Sequence, residues 1–468
     1  MKISSTSHLE IDLDRLTRNI SVIRQTIGPE VLLCTVVKAD AYGLGAVPVA
    51  SRLSRLGVDM LAVYTPAQAR ELVEAGIDRK ILLLMPLRHL DRHDRLYRAL
   101  FSGRLHCAVH DLDHLKQLIR IAESFGSTLP LHVEIDTGMS RGGMTNEEAV
   151  PVINRIINHH RLHLAGIFTQ FTSADSDPDA TENQFRRFAD LVTRFDDDLL
   201  QTTAIHVANT DACFKFGRRF HFDMVRLGLA WVGYGDQSDL QSLNTHASTH
   251  DSDIENHRHA GVRPRLLPIV RWTSTIVHAK WIERGTPVGY TQSWVAPRRS
   301  RIGIIPIGYA DGYPLALSNR SIIRVRATAA SNYSISRPAQ STSPGFPLRL
   351  TSDVGERAWF EAPVIGRISM DQTVIDLTGL PEQVAAVGTE VEILSDEPNA
   401  PNNLIALAEL AGTIPYEILC GLSSQIPRRF ITRNQPVDLH TKTHRQTASV
   451  NRHSLKPAPI TSAFQPSK

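Results

Sequence analysis

The chain has 468 residues, 42% of them hydrophobic and 21% charged, the balance of a folded protein with room for two or three domains. With 51 basic and 48 acidic residues the formal net charge is +3, which gives no pull towards nucleic acid or an anionic membrane surface. The cysteines, Cys34, Cys107, Cys213 and Cys420, are scattered without metal-ligand spacing, and residues 1–25 lack an apolar stretch, so the expectation is a reduced, cytoplasmic setting with no metal and no membrane span.

Residues 8–235 alternate short apolar runs with amphipathic stretches. The runs are Val31–Val37, Asp59–Tyr64, Ile81–Met85, Leu105–Val109, Leu131–Ile135, Leu164–Phe168, Ala204–Val207 and Met224–Leu227. Helical periodicity fills several gaps, over Pro66–Ala75, Leu112–Ser124, Asn146–Ile157 and Glu182–Phe195. Eight such units in this length predict an α/β fold, an N-terminal (β/α)8 TIM-like barrel. A doubly wound sheet is the alternative.

Residues 236–262 are polar and carry His246, His250, His257 and His259, whose spacing matches no standard ligand set; a disordered insertion is expected there. From 263 to 432 short alternating runs take over, at Ile276–Ile282, Arg301–Ile307, Ser321–Val325, Ala362–Ser369 and Val391–Leu394. They predict a mostly β C-terminal domain, with a loop insertion at 326–352 and a helix over Asn403–Ala411. Residues 433–468 read as a disordered tail.

In a barrel, the residues just after each strand line the functional face. The first predicted strand ends in Lys38. An amine there is partly desolvated and shifts towards its neutral, nucleophilic form; the plainer reading is a lysine snorkelling from a strand end. Tyr42, Gly43 and Gly45 follow and permit a tight turn. Arg141 follows the fifth strand, Gln170 the sixth, Asn209 and Thr210 the seventh, and Arg226 and Gly228 stand at the eighth. Each alone is as well explained as a cap or solvated loop group. Their convergence on one face is the signal.

Seven motifs occur in order: VVKADAYGLGA at 36–46, VEIDTGMSRGGM at 133–144, HVANTDA at 206–212, HFDMVRLGLA at 221–230, IPIGYADGY at 305–313, VIGRISMDQTVIDL at 364–377 and AGTIPYEILCGL at 411–422. Over about residues 8–430, the two insertions apart, the sequence resembles the alanine racemases. The resemblance implies a pyridoxal 5'-phosphate barrel followed by a β domain, an amino-acid substrate, and a head-to-tail homodimer whose active sites draw on both subunits. By position, Lys38 matches the lysine joined to the cofactor. Tyr42, Thr210, Gly228, Leu229 and Tyr416 match phosphate-binding positions, and Arg226 the arginine facing the pyridine nitrogen. Asn209 and His206 fall within the cofactor motif, where His206 either supports Arg226 by hydrogen bonding or simply packs. Tyr290 matches the second catalytic base. Arg141 and Met370 match the positions holding the substrate carboxylate, and Tyr309 and Asp371 residues near the entrance.

Racemisation takes a proton from one face of Cα and returns one to the other, so two bases are needed. Lys38 and, across a dimer, Tyr290 fit that requirement. Arg226 keeps its proton and leaves the pyridine nitrogen without one, which weakens the ring as an electron sink and discourages transamination. The sequence also departs from the family. Gln170 replaces a usual histidine, Leu44 another, Ser369 a cysteine, Thr210 a serine, and Glu134 a lysine that is often carbamylated. Glu134 is expected to pair with Arg141. The implied activity is interconversion of L- and D-alanine for peptidoglycan. The alternatives are a racemase of serine or of broad range, and a non-catalytic pyridoxal-phosphate-binding protein. Tyr290, Met370 and Asp371 argue against the last; a fold-related decarboxylase is disfavoured by the SMDQ stretch.

Overall fold

A computed structural model describes residues 6–235, 265–327, 350–352 and 358–432. The expected insertion at 236–262 with its four histidines, most of that at 326–352, and the tail lie outside the described residues.

After strand β1 (His8–Asp12) come eight parallel strands: β2 (Leu32–Val36), β3 (Met60–Val63), β4 (Lys80–Leu83), β5 (Leu105–Val109), β6 (Leu129–Ile135), β7 (Leu162–Thr169), β8 (Ala204–His206) and β9 (Met224–Leu227). Their order is β8-β7-β6-β5-β4-β3-β2-β9. The two ends meet where Asp223 N donates to Ile205 O at 3.1 Å and Arg226 N to Ala208 O at 2.9 Å. Neighbours in sequence are neighbours in space and the last strand pairs with the first, which is a closed barrel and not a doubly wound sheet.

The strands are apolar runs because both faces are covered. The outer face packs on amphipathic helices such as Asn146–Ile157, which starts with a Thr145–Glu148 capping box and buries Ala149, Val152, Ile153 and Ile156. Inside, Cys34, Met60, Ala62, Leu82 and Met224 form a small cluster of their own.

The remaining strands are β10 (Val270–Thr275), β11 (His278–Ile282), β12 (Pro287–Val288), β13 (Trp294–Val295), β14 (Ser300–Ile305), β15 (Ile322–Ala327), β16 (Leu350–Ser352), β17 (Ala358–Pro363), β18 (Thr373–Asp376), β19 (Glu390–Leu394) and β20 (Arg428–Ile431). A seven-stranded sheet runs β16-β17-β15-β19-β10-β1-β20, beside β11-β14-β18 and the hairpin β12-β13. Strand β1 pairs antiparallel with β10 and parallel with β20, so residues grouped by sequence with the barrel stitch the two parts together. The run expected at Ala362–Ser369 stops at Pro363. Gly366 then turns at φ 73, where a Cβ would sit 2.8 Å from Val288 O. Strands β15 and β16 occupy the two ends of the expected loop insertion. No single helix among the described residues is long and apolar enough to cross a membrane.

Candidate active site

Lys38 follows β2 at the carboxyl end of the barrel. The chain then makes one left-handed turn, Ala39, Asp40, Ala41 and Tyr42 having φ of 53, 54, 52 and 60. Each non-glycine residue there costs about 1–2 kcal/mol, so the surroundings must enforce it. Asp40 Oδ1 accepts from Ala46 N at 2.6 Å, and Asp40 O from Gly45 N at 2.9 Å. The buried Tyr42 ring stacks on Trp231 at 5.6 Å and meets Tyr416 edge-on at 5.1 Å. Gly43 and Gly45, at φ 78 and 97, then turn the chain into the helix Ala46–Arg55, as expected. Gly43 also allows close approach, since a Cβ there would lie 2.7 Å from Leu419 O in the helix Pro415–Gly421.

That helix carries Tyr416 to a cradle at Gly228. A Cβ on Gly228 would meet the hydroxyls of Tyr42 at 2.6 Å and Tyr416 at 2.7 Å. Thr210 Oγ1 accepts from Gly228 N at 3.2 Å and Ala230 N at 3.4 Å, and Tyr416 OH accepts from Leu229 N at 3.3 Å. Burial pushes Tyr416 up to about 12 and Tyr42 well above its usual value, so both phenols remain donors. Asn209 is the cap that orients Thr210, its side chain accepting from Ala212 N at 2.9 Å.

Arg226 on β9 is held from several sides. Nη1 donates to His206 Nδ1 at 2.9 Å and to His206 O at 2.8 Å. Nη2 donates to Thr169 O at 2.7 Å and to Gln170 Oε1 at 3.1 Å. Phe168 lies under the guanidinium at 5.0 Å. Nε–H has no partner among the described residues. Burial pushes Arg226 down to about 10, which leaves it charged at neutral pH. His206 therefore supports Arg226, as one of the two sequence readings has it, and Gln170 joins it.

These groups line one cavity of about 1640 Å³, with Lys38, Tyr42, Arg141, Asn209 and Thr210 on its walls alongside Arg226, Gly228, Leu229 and Tyr416. An ordinary small-molecule site is ~300–1,000 Å³, so there is space for more than one amino acid. Lys38 is pulled below its usual pKa, by burial first and then by Arg141, with Cys420 acting the other way. Glu134 does not pair with Arg141. Its Oε2 lies 2.9 Å from His110 Nδ1, while His110 Nε2 donates to Leu84 O at 2.8 Å. Glycines at 142 and 143 pack the loop bearing Arg141 onto this pair.

Tyr290, Tyr309, Met370 and Asp371 are not brought to this cavity within one chain. Tyr290 is 69% exposed in a turn after Gly289, and Met370 and Tyr309 are also exposed. Tyr309 N donates to Ser369 O, and Ala310 N to Met370 O, both at 3.1 Å, which fastens those two loops together. Sequence reasoning missed His110 and the buried His106 and His132. Their signal was a histidine inside otherwise apolar barrel strands, or just past the end of one.

A closed barrel with a lysine at the carboxyl end of its first strand, fused to a β-rich part, is the architecture of the barrel-type amino-acid racemases, and the comparisons with known proteins agree. Residues 11–236 match the family model for the alanine racemase N-terminal domain, and residues 269–333 and 346–430 that for the C-terminal domain. The chain belongs to the alanine racemase family. It is 30% identical to the alanine racemase of Halothermothrix orenii over 430 residues, covering 92% of this chain and 98% of that one. Among solved structures, the alanine racemase of Clostridium difficile 630 superposes with a TM-score of 0.70 at 27% identity, over 93% of this chain and 98% of that one. The Bartonella henselae alanine racemase, solved with covalently bound pyridoxal phosphate, shares the fold at a TM-score of 0.68 and 23% identity, over 91% and 100% of the two chains.

Proposed function

We propose that the chain interconverts L- and D-alanine with pyridoxal 5'-phosphate, using Lys38 and Tyr290 of a second copy as the two bases. The carrying observation is the juxtaposition of Lys38, the Gly228 cradle and the free Arg226 Nε–H around one cavity. The residues fit the cofactor: Tyr42, Thr210, Gly228, Leu229 and Tyr416 supply hydroxyl and N–H donors for a phosphate, and Lys38 supplies the amine. When bound, pyridoxal phosphate supplies the electron-withdrawing ring that acidifies the Cα–H bond. Arg226 would face the ring nitrogen as a donor that keeps its own proton. Lys38, its basicity lowered by burial, takes or returns the Cα proton on one face. Tyr290 does so on the other, while Arg141 and the Met370 backbone N–H hold the carboxylate, with Tyr309 and Asp371 at the entrance.

The exposure of Tyr290, Tyr309 and Met370 supports a head-to-tail dimer that carries them to the neighbour's cavity. In this reading residues 8–235 hold the cofactor and 263–432 close the site. Free cysteines support a cytoplasmic location, and D-alanine would serve peptidoglycan. Chiral chromatography after incubation with L-alanine and L-serine tests the assignment. D-alanine should form much faster than D-serine. Preference for serine, or no D-product with cofactor bound, would overturn it.

A further inference from the structure

A line of buried imidazoles crosses the barrel interior behind the cavity, and the proposed reaction uses only its first member. His206 on β8, His132 on β6 and His106 on β5 are 0%, 1% and 5% exposed. His206 Nε2 is 2.9 Å from His132 Nδ1, and His132 Nε2 is 2.9 Å from His106 Nδ1. At the near end stands Arg226, 2.9 Å from His206 Nδ1.

The direction of every bond follows from Arg226. A guanidinium only donates, so His206 Nδ1 must accept and its proton sits on Nε2. That N–H faces His132 Nδ1, which accepts in turn, and His132 Nε2–H faces His106 Nδ1. A reversed or doubly protonated member would set two N–H groups against each other. Neutrality is consistent with burial, which pushes His106 down to about 3 and the other two well below the ordinary histidine value. The neighbouring strand β7 makes room for the chain. Gly166 faces the middle ring, and a Cβ there would lie 2.3 Å from His132 Nδ1 and 2.9 Å from Ala204 O. Linked donors of this kind polarise one another and resist reversal one at a time.

We propose that His132 and His106 are positioning residues for Arg226: they lock the His206 tautomer, and so hold the guanidinium with its one unspent donor, Nε–H, turned to the cavity. The tautomer pattern stands on geometry alone; its catalytic consequence rests on the reading of Arg226 given above.

Neutron diffraction from deuterated, cofactor-loaded full-length protein tests the pattern. Deuterium is expected on Nε2 and not on Nδ1 of all three rings; deuterium on any of the three Nδ1 atoms overturns the proposal. His106→Phe keeps an apolar ring in place and removes the last acceptor. It should lower kcat about 10-fold, with KM for L-alanine within about twofold, the scale of one hydrogen bond's positioning. In an Arg226→Lys background the same substitution should cost nothing further, and a second loss of about 10-fold would overturn action through Arg226. Unchanged kcat in Arg226→Lys alone would instead remove Arg226 from the reaction and leave the tautomer pattern untouched.

Discussion

Glu134 and His110 form a pair that sequence comparison within the motif does not suggest. His110 Nε2 must donate to the Leu84 carbonyl, so the second ring nitrogen shares a proton with the Glu134 carboxylate. Burial pulls the His110 pKa down, but the hydrogen bond and charge of Glu134, with Leu84 O and Asp111, more than offset it and the net shift is upward. The folded state therefore binds this proton more tightly than the unfolded chain. The resulting stability is complete below about pH 6.5, the ordinary histidine value, and is lost as pH rises through the raised folded value. We expect Tm to fall across that upper range, and Glu134→Gln to flatten the fall, as read by thermal denaturation at a series of pH values. An unchanged slope would detach the pair from stability. Lys38, Arg141 and Arg226 were legible as site residues because strand ends in a barrel share one mouth. His110 was not, because its partner lies 24 positions away on another strand, as the numbers 110 and 134 show.

The left-handed turn at Ala39–Tyr42 shows what an element can hide. Alanine and tyrosine carry no local signal for positive φ, and the glycines beside them pointed to an ordinary turn. The conformation is imposed by Asp40 bonding forward to Ala46 and by Tyr42 wedged between Trp231 and Tyr416. Gly43 then closes the gap to the helix that carries Tyr416. We expect Gly43→Ala to destabilise the protein by about 2 kcal/mol or more, since it adds strain at φ 78 and a contact with backbone, which cannot swing away. Denaturant unfolding measures this, and a loss below about 0.5 kcal/mol would mean the helix shifts freely. The eight barrel strands were legible within a few residues because apolar runs between helices need no partner information. Strands β1, β10, β12, β13, β16, β18 and β20 were not: β1, for one, is a strand because it lies between β10 and β20 from the far part of the chain, and no local pattern announces such a pairing.

For the whole molecule, the proposed shared site has a consequence that neither chain shows alone. Lys38→Ala and Tyr290→Phe should each be nearly inactive as homodimers. In a mixed dimer one site receives both altered residues and the other receives both native ones. Random reassembly of equal amounts should therefore restore about one quarter of native activity, because about half the dimers are mixed and each has one working site. Activity assays after co-refolding or co-expression read this directly. No recovery would place both bases within one chain or remove one of them. The size of the cavity and the exposure of Tyr290 both accord with a second surface reaching in.

An α/β chain was legible in the sequence because hydrophobic periodicity is written in short windows of residues, and the family because seven motifs stand in order along it. Lys38, Arg226 and the hydroxyls of Tyr42, Thr210 and Tyr416 were named from those motifs, and the structure gathers them around one cavity. Tertiary structure alone decided that Glu134 faces His110, that Gln170 and His206 share Arg226, and that three histidines from separate strands form one directed line. Each of those joins positions far apart in sequence: strand pairing around β5, β6, β7 and β8 brings Glu134 to His110 and lines up the three histidines, and closure between β8 and β9 brings Arg226 to His206 and Gln170.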